Sequence, residues 1–357
     1  MKIFVSTGEA SGDLHLSYLA KNIFKIDKNI KIYGVAGEHS KKEGVEVIQD
    51  INELAIMGFT EALKKYSYLK KKAYEYLEFI KKNQIEKVLL VDYGGFNLKF
   101  LELLKKETPE VEVFYYIPPK LWIWGEKRIE KLKLADHIMV IFPWEVDFYK
   151  KHGVEAVYYG NPLCEKYSEV LRENNKILLL PGSRKQEIKS LMPEILKVVK
   201  KEKTEKFILK LSRESHLNWI EDDLNKYENL EIILDKTLEE CVKESKIAIA
   251  ASGTVTLELA LMGLPTIVIY KTNFINYFIA KYILKVGYVS LPNLTINDEV
   301  FPELLQKDCT GEKIEKSMKE ILGKKQEVKE KLDLVRRKLS GENITKDYAN
   351  FLLKGIK

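Results

Sequence analysis

Short runs rich in Val, Ile, Leu and aromatic residues alternate with amphipathic helical stretches along this 357-residue chain. That alternation constrains the fold more than any other feature, because it predicts strand–helix–strand units and a parallel sheet. The first half supplies "KIFVST", "KIYGVAG", "KVLLVDYG", "VFYYIPP", "HIMVIFP" and "AVYYGNP". The second half supplies "KILLLPGSR", "KFILKLSR", "LEIILDK", "KIAIAASG" and "TIVIYK". Runs apolar on both faces need helices on both sides of the sheet. Between the halves lies "LCEKYSEVLRENN", polar and strand-free, the best candidate for a linker. The expected architecture is α/β: two Rossmann-like domains facing a cleft, at 1–165 and 175–340, with a helical C-terminal segment. The helix at 343–357 is a candidate to complete the first domain.

Composition narrows the class. A hydrophobic content of 45% with 31% charged residues provides for two cores. No run approaches the length of a membrane span, and the chain opens directly on a strand-like run, so no signal peptide is expected. Cys164, Cys241 and Cys309 are too far apart for a zinc spacing or a disulfide framework, a pattern suited to a reducing cytoplasm. The 59 basic and 53 acidic residues leave a net +6, a mild bias and no nucleic-acid signature.

In open parallel sheets, ligands bind beyond the carboxyl ends of the strands. There the halves differ. The first presents Glu9 and Asp13 in "GEASGD", Asp92 after "KVLLV", and the aromatic run "YYIPPKLWIWGEKR"; the second presents "PGSRK" and "ASGTVTLE". Acids and aromatics thus line one half, while Arg, Lys, Ser, Thr and Gly line the other. "GEASGD" lacks both the P-loop ending and the G-x-G-x-x-G spacing, and its acids repel phosphate. In "SGTVTLE", Ser252 and Gly253 permit a close turn, and Thr254 can cap a helix whose amides attract a diphosphate. Glu258, one turn on, can accept both hydroxyls of a ribose. The same segment also fits an ordinary capped helix with Glu258 as its capping partner. Arg184 can bridge diphosphate oxygens, or serve as a surface arginine at a helix start.

The ordered set "GEASGD", "MGFTEAL", "VDYGGFN", "PPKLWIWGEKR", "PGSR", "ASGTVTLE" and "YVSLPNL" resembles the lipid-A-disaccharide synthase family along nearly the whole chain. The resemblance implies a GT-B fold and an inverting transfer of 2,3-diacylglucosamine from its UDP conjugate to 2,3-diacylglucosamine 1-phosphate, through a β-1,6 bond. It also implies a peripheral enzyme on the cytoplasmic face of a Gram-negative inner membrane. Asn293 and Gln306 match positions that the family associates with the donor. The chain departs from the family pattern at Gly95, where a second acid is usual, at Gly125, where Arg is usual, and at Asn161, where His is usual. Asp92 is the acid retained.

Inverting transfer needs a base for the acceptor hydroxyl and stabilisation of the leaving diphosphate. Asp92 is the first candidate for the base and Glu9 the second, or else a binder of sugar hydroxyls. Asp13 is expected to cap the helix that follows it. Arg184 with Ser252, Gly253, Thr254 and Glu258 would take the donor. No acid pair has the D-x-D spacing of metal-dependent transferases, so neither metal nor cofactor is expected. Acylated substrates call for a membrane surface. Segment 62–77 places Leu63, Tyr66 and Leu69 near one face with Lys70 and other lysines around it, which suits interfacial docking or a core-facing helix with a basic exterior. A second candidate is 273–286. Two other classes stay open: an enzyme of soluble UDP-sugars such as a 2-epimerase, and a non-catalytic sugar-nucleotide-binding module. The C-terminal helices return to the first domain or exchange with a second copy in a homodimer.

Overall fold

The computed structural model describes residues 1–56, 62–122, 126–171, 175–271 and 287–355. The chain divides into two compact units, Met1–Pro162 with Gly341–Lys357, and Leu163–Ser340.

The first unit holds β1 (Lys2–Ser6), β2 (Lys31–Ala36), β3 (Glu46–Asp50), β4 (Lys87–Val91), β5 (Glu112–Tyr116) and β6 (His137–Met139). All pair in parallel, in the order β3-β2-β1-β4-β5-β6. The "AVYYGNP" run contributes only a single bridge, Val157 to Met139. β1, β4 and β5 are buried almost throughout, as strands covered on both faces must be. One face packs Phe4, Tyr76, Phe96 and Phe100, with ring centroids 5.6–6.2 Å apart. On the other side the helix Ala10–Ile26 packs against the C-terminal helix Ile344–Lys354, joined by Asn22 Nδ2 donating to Thr345 Oγ1 at 2.8 Å. The buried Lys87 ammonium donates to the carbonyls of Leu352 and Leu353 at 2.9 and 3.2 Å. A cation there complements the negative end of that helix.

The second unit repeats the plan with β7 (Lys176–Leu180), β8 (Phe207–Lys210), β9 (Leu230–Ile233), β10 (Ser245–Ala251), β11 (Thr266–Tyr270) and β12 (Glu303–Leu305). The order β12-β11-β10-β7-β8-β9 is the same topology: the first strand of each unit lies between its second and its fourth. In each sheet the connections reverse direction there, between β1 and β4 and between β7 and β10. Such a switch point leaves a crevice at the carboxyl ends of the strands. The first residues of the predicted linker belong to the second unit. Leu163 and Tyr167, at 1% and 4% exposure, are built into the second unit.

Asp13 shows how the first loop is held. The N-cap of its own helix is Glu9, whose side chain makes no capping bond. Asp13 lies one turn in, 1% exposed, and its carboxylate accepts from the amides of Gly37, His39 and Ser40 at 2.8, 2.9 and 3.4 Å. The predicted cap therefore serves the neighbouring helix Glu38–Lys42, and so ties the turn after β2 to the turn after β1. Asp13→Ala strands these buried amides and is expected to cost about 2–3 kcal/mol of stability. Urea denaturation measures it, and an unchanged midpoint would contradict the assignment.

Candidate active site

At the switch point of the first unit, Glu9 follows β1 and Asp92 follows β4. Asp92 and Tyr93 both adopt left-handed backbone, with φ of 48° and 50°. Such conformations are costly outside glycine and persist only where neighbours enforce them. Here the enforcement comes from Asn97 and Tyr115. Asn97 is fully buried, and its amide nitrogen donates to the carbonyls of Ser6, Val91 and Asp92 at 3.0, 3.3 and 3.0 Å. Its oxygen accepts from Ser6 Oγ at 2.7 Å. The Tyr115 hydroxyl donates to the Asp92 carbonyl at 2.9 Å. One asparagine thus locks the ends of β1 and β4 together and fixes the backbone that carries Asp92.

The glycines of "GEASGD" are there for close approach. A Cβ on Gly8 would lie 2.3 Å from the Tyr93 ring; one on Gly12 would lie 2.4 Å from Thr7 Oγ1 and 3.7 Å from Asp92 Cβ. The loop therefore presses against the Asp92 turn. Burial pushes the Asp92 carboxyl up to about 6, and the Glu9 charge adds to the rise, against the Tyr93 amide and the Lys120 ammonium. Glu9 itself stands exposed.

Lys120 also faces Glu145, a 3%-exposed acid near the start of the helix Pro143–Lys151. Burial pushes the Glu145 carboxyl up to about 7, against the Trp122 indole, which donates to it at 3.2 Å. The Trp122 ring stands edge-on to Trp144, centroids 6.1 Å apart. Trp122 is thus fixed in an aromatic and acidic wall. Trp124 and Gly125 lie outside the described residues. Asn161 is fully buried and donates to the Ile141 carbonyl at 3.2 Å.

At the switch point of the second unit, two helices start side by side, Lys185–Lys201 after β7 and Thr254–Leu261 after β10. Arg184 occupies the N-cap position of the first, where Glu187 Oε2 accepts from the amides of Ser183 and Arg184 at 3.2 and 3.4 Å. The arginine side chain is 75% exposed, and Nη1 pairs with Glu187 Oε1 at 3.2 Å. The cap of the second is Gly253 rather than Thr254, which is the first helical residue; glycine has no side chain to take the first-turn amides, and Thr256 Oγ1 donates to its carbonyl at 2.8 Å. The φ of Gly253, 168°, is extended backbone open to any residue, and a Cβ there would meet no atom within 4 Å. Leaving out that side chain keeps the first-turn amides uncovered. Ser252 is half-buried, its amide donating to Ile269 of β11. Glu258 is not a capping partner; the Tyr167 hydroxyl favours its carboxylate. Burial pushes its carboxyl up, with Lys166 opposing.

Asn293 lies on the helix Leu291–Ile296, which packs against the helix Thr254–Leu261. The residue is 0% exposed; Nδ2 donates to Phe301 O and Glu303 Oε1 at 2.8 and 2.9 Å, and Oδ1 accepts from the amides of Val300 and Phe301, each at 2.9 Å. All four hydrogen-bonding positions of the amide are taken, so it braces the turn into β12. Gln306 sits at the carboxyl end of β12, two strands from β10, with a φ of 51°.

On the helix Ala62–Asn83, Leu69 is partly buried against the core of the first unit, alongside Ala73, Tyr76, Leu77 and Ile80. Lys70 is exposed, as is Tyr74 at 47%. The side chains of Leu63 and Tyr66, and the whole of 273–286, lie outside the described residues. Among the described residues, no helix is long and apolar enough to cross a membrane.

Sequence reasoning passed over Asn97, Lys120, Glu145 and Tyr167. Asn97 carried a signal in its spacing, five residues after Asp92 inside "VDYGGFN". Nothing in the sequence pairs Lys120 with two carboxyls, or Tyr167 with Glu258.

The sequence model described as lipid-A-disaccharide synthetase matches residues 3–353. The lipid-A-disaccharide synthase of Geobacter metallireducens is 32% identical over 334 residues, covering 88% of this chain and 85% of that one. The Coxiella burnetii enzyme is 30% identical over 371 residues, covering 98% and 97%. Among solved structures, UDP-GlcNAc 2-epimerase from Neisseria meningitidis superposes with a TM-score of 0.65 at 14% identity, covering 99% of this chain and 100% of that one. MurG from Acinetobacter baumannii gives 0.59 at 15% identity, covering 99% of each. These likenesses show the GT-B fold. Given a match that runs nearly end to end, the chain belongs to the lipid-A-disaccharide synthase family of glycosyltransferases.

Proposed function

We propose that the protein transfers 2,3-diacylglucosamine from UDP-2,3-diacylglucosamine to 2,3-diacylglucosamine 1-phosphate, releasing UDP and the β-1,6-linked disaccharide 1-phosphate. The observation that carries this reading, beside the family, is the division of charge between two equivalent switch points. The first carries Glu9 and an Asp92 carboxyl raised to about 6; the second carries Arg184 and an uncovered helix start. The acceptor 6-hydroxyl attacks the anomeric carbon as the bond from that carbon to the UDP oxygen breaks. The hydroxyl proton passes to Asp92. Charge growing on the diphosphate is met by Arg184 and by the amides at Gly253 and Thr254, with Ser252 beside them. Glu258 receives the ribose hydroxyls. That the Neisseria epimerase of the same fold was solved with UDP-GlcNAc supports a uridine diphosphate sugar as donor.

Acyl chains on both substrates place the enzyme at a membrane surface, peripheral on the cytoplasmic face of the inner membrane. The exposed Lys70 and Tyr74 mark the face of the helix Ala62–Asn83 that we assign to it. The direct test incubates the protein with both acylated substrates and seeks the disaccharide by mass spectrometry. Turnover of unacylated UDP-sugar without disaccharide would overturn the reading. Arg184→Ala is expected to weaken UDP binding about tenfold, the loss of one charge-assisted contact. Calorimetry should find Asp92→Ala nearly silent for UDP; equal losses would refute the division of labour.

A further inference from the structure

Tyr167 follows the short helix Leu163–Lys166 in a stretch that reads as a polar connector, yet it is 4% exposed. Its hydroxyl lies between opposite charges. Lys166 Nζ donates to that oxygen at 2.8 Å while standing 4.5 Å from the ring centroid. The same hydroxyl favours the Glu258 carboxylate against the effect of burial, and the helix Leu163–Lys166 packs against the helix that carries Glu258. The backbone beneath is clamped as well. The Tyr167 amide donates to Leu163 O at 2.8 Å. From the helix Lys325–Leu339, Arg336 donates through Nη1 to the Tyr167 carbonyl at 3.1 Å, and through Nη2 to the carbonyl of Leu261. Leu261 ends the helix that carries Glu258. One guanidinium therefore fixes Tyr167 relative to the element bearing its acidic partner.

We propose that Tyr167 is a positioning residue that holds one oxygen of Glu258 so that the other faces a nucleotide ribose, and that Lys166, acting through the same hydroxyl, makes the trio a recognition device for the vicinal diol of a ribonucleoside diphosphate. This rests on the assignment of Glu258 to the ribose. An untethered glutamate spreads over several rotamers and loses that freedom on binding; a tethered one has lost it beforehand, which favours affinity. Charge state matters equally, because a protonated carboxyl gives up acceptor capacity to the diol. Burial drives Glu258 toward that state, and Glu239 of the helix Leu238–Lys243 pushes the same way. Lys166 and Tyr167 push back. Arg336 stands behind, occupied by the two carbonyls.

The test is calorimetric titration of the full-length protein with UDP and with 2′-deoxyuridine diphosphate from pH 5 to 8. Wild type is expected to prefer UDP and to lose the preference on acidification. Tyr167→Phe keeps the ring but removes the hydroxyl. It is expected to cut the preference on the order of tenfold and to move its loss to higher pH, because a carboxylate deprived of a donor protonates more readily. Lys166→Met, which leaves the tyrosine in place, is expected to move the loss in the same direction, and decides the matter where the Phe variant binds neither nucleotide. Wild-type preference and midpoint in both variants, with the preference abolished in Glu258→Gln, overturn the proposal and leave the ribose assignment standing. A preference that survives Glu258→Gln overturns both.

Discussion

Asp92→Asn is expected to lower kcat by about 10²–10⁴-fold, the usual worth of a positioned base, with UDP affinity within twofold of wild type. The substitution preserves shape and the backbone contacts of the Asp92 carbonyl, so Asn97 and Tyr115 still hold the turn. What it removes is the ability to take a proton. A base must be ionised to act, and the Asp92 carboxyl sits up at about 6. The wild-type kcat/KM is therefore expected to fall tenfold per unit below about pH 6, and to level off above it. The causes of the shift supply two controls of opposite sign. Burial is the largest, and neither control touches it. Glu9 comes next: its like charge disfavours the Asp92 carboxylate, so Glu9→Gln should move the acid limb to lower pH. Lys120 favours the carboxylate, so Lys120→Met should move it to higher pH. Rate profiles from pH 4.5 to 8.5 read all three. A limb that stays put in both controls assigns the titration to some other group and removes Asp92 from the role of base.

The sheets could be read from the sequence because their central strands are apolar on both faces, and β1, β4, β7 and β10 announce themselves as unbroken hydrophobic runs. β3 and β12 escaped for the opposite reason. Both lie at sheet edges. β3 buries one residue of five, and β12 has three half-buried residues, so neither carries a pattern that differs from loop. The candidate site divides likewise. Residues at the carboxyl ends of core strands, such as Asp92 and Arg184, are located by the strand that precedes them. Asp13 was visible as a cap but not its client, because the amides it satisfies belong to a turn 24 to 27 residues away. A motif gives Asn293 a position and not an orientation; its amide points into the turn before β12. Tyr167 was hidden among polar neighbours, and only tertiary structure sets it against Glu258.

Gly8→Ala is expected to reduce kcat about a hundredfold, the scale at which a misplacement of about an ångström in reacting groups is felt. The added methyl would lie 2.3–2.4 Å from three carbons of the Tyr93 ring, so something must move. The ring cannot retreat. It stacks on Phe96 at 5.6 Å, and Phe96 stacks on the fully buried Phe100 at the same distance, so its far side is the core itself. Its backbone cannot rotate freely either, being the second of two consecutive left-handed residues. Relief then comes from shifting the end of β1, which carries Glu9, or from unseating Tyr93, which carries Asp92 with it. Either way the two acids lose their relation to each other. The contrast is Tyr93→Ala, which empties the space that the methyl needs. In the double variant, Gly8→Ala with Tyr93→Ala, kcat is expected to recover at least tenfold over Gly8→Ala alone, a coupling that only residues in contact produce. UDP binding, assigned to the second unit, should stay unchanged throughout. Should Gly8→Ala retain kcat within twofold of wild type, or the double variant prove no better than the single, the loop "GEASGD" has no part in holding Asp92.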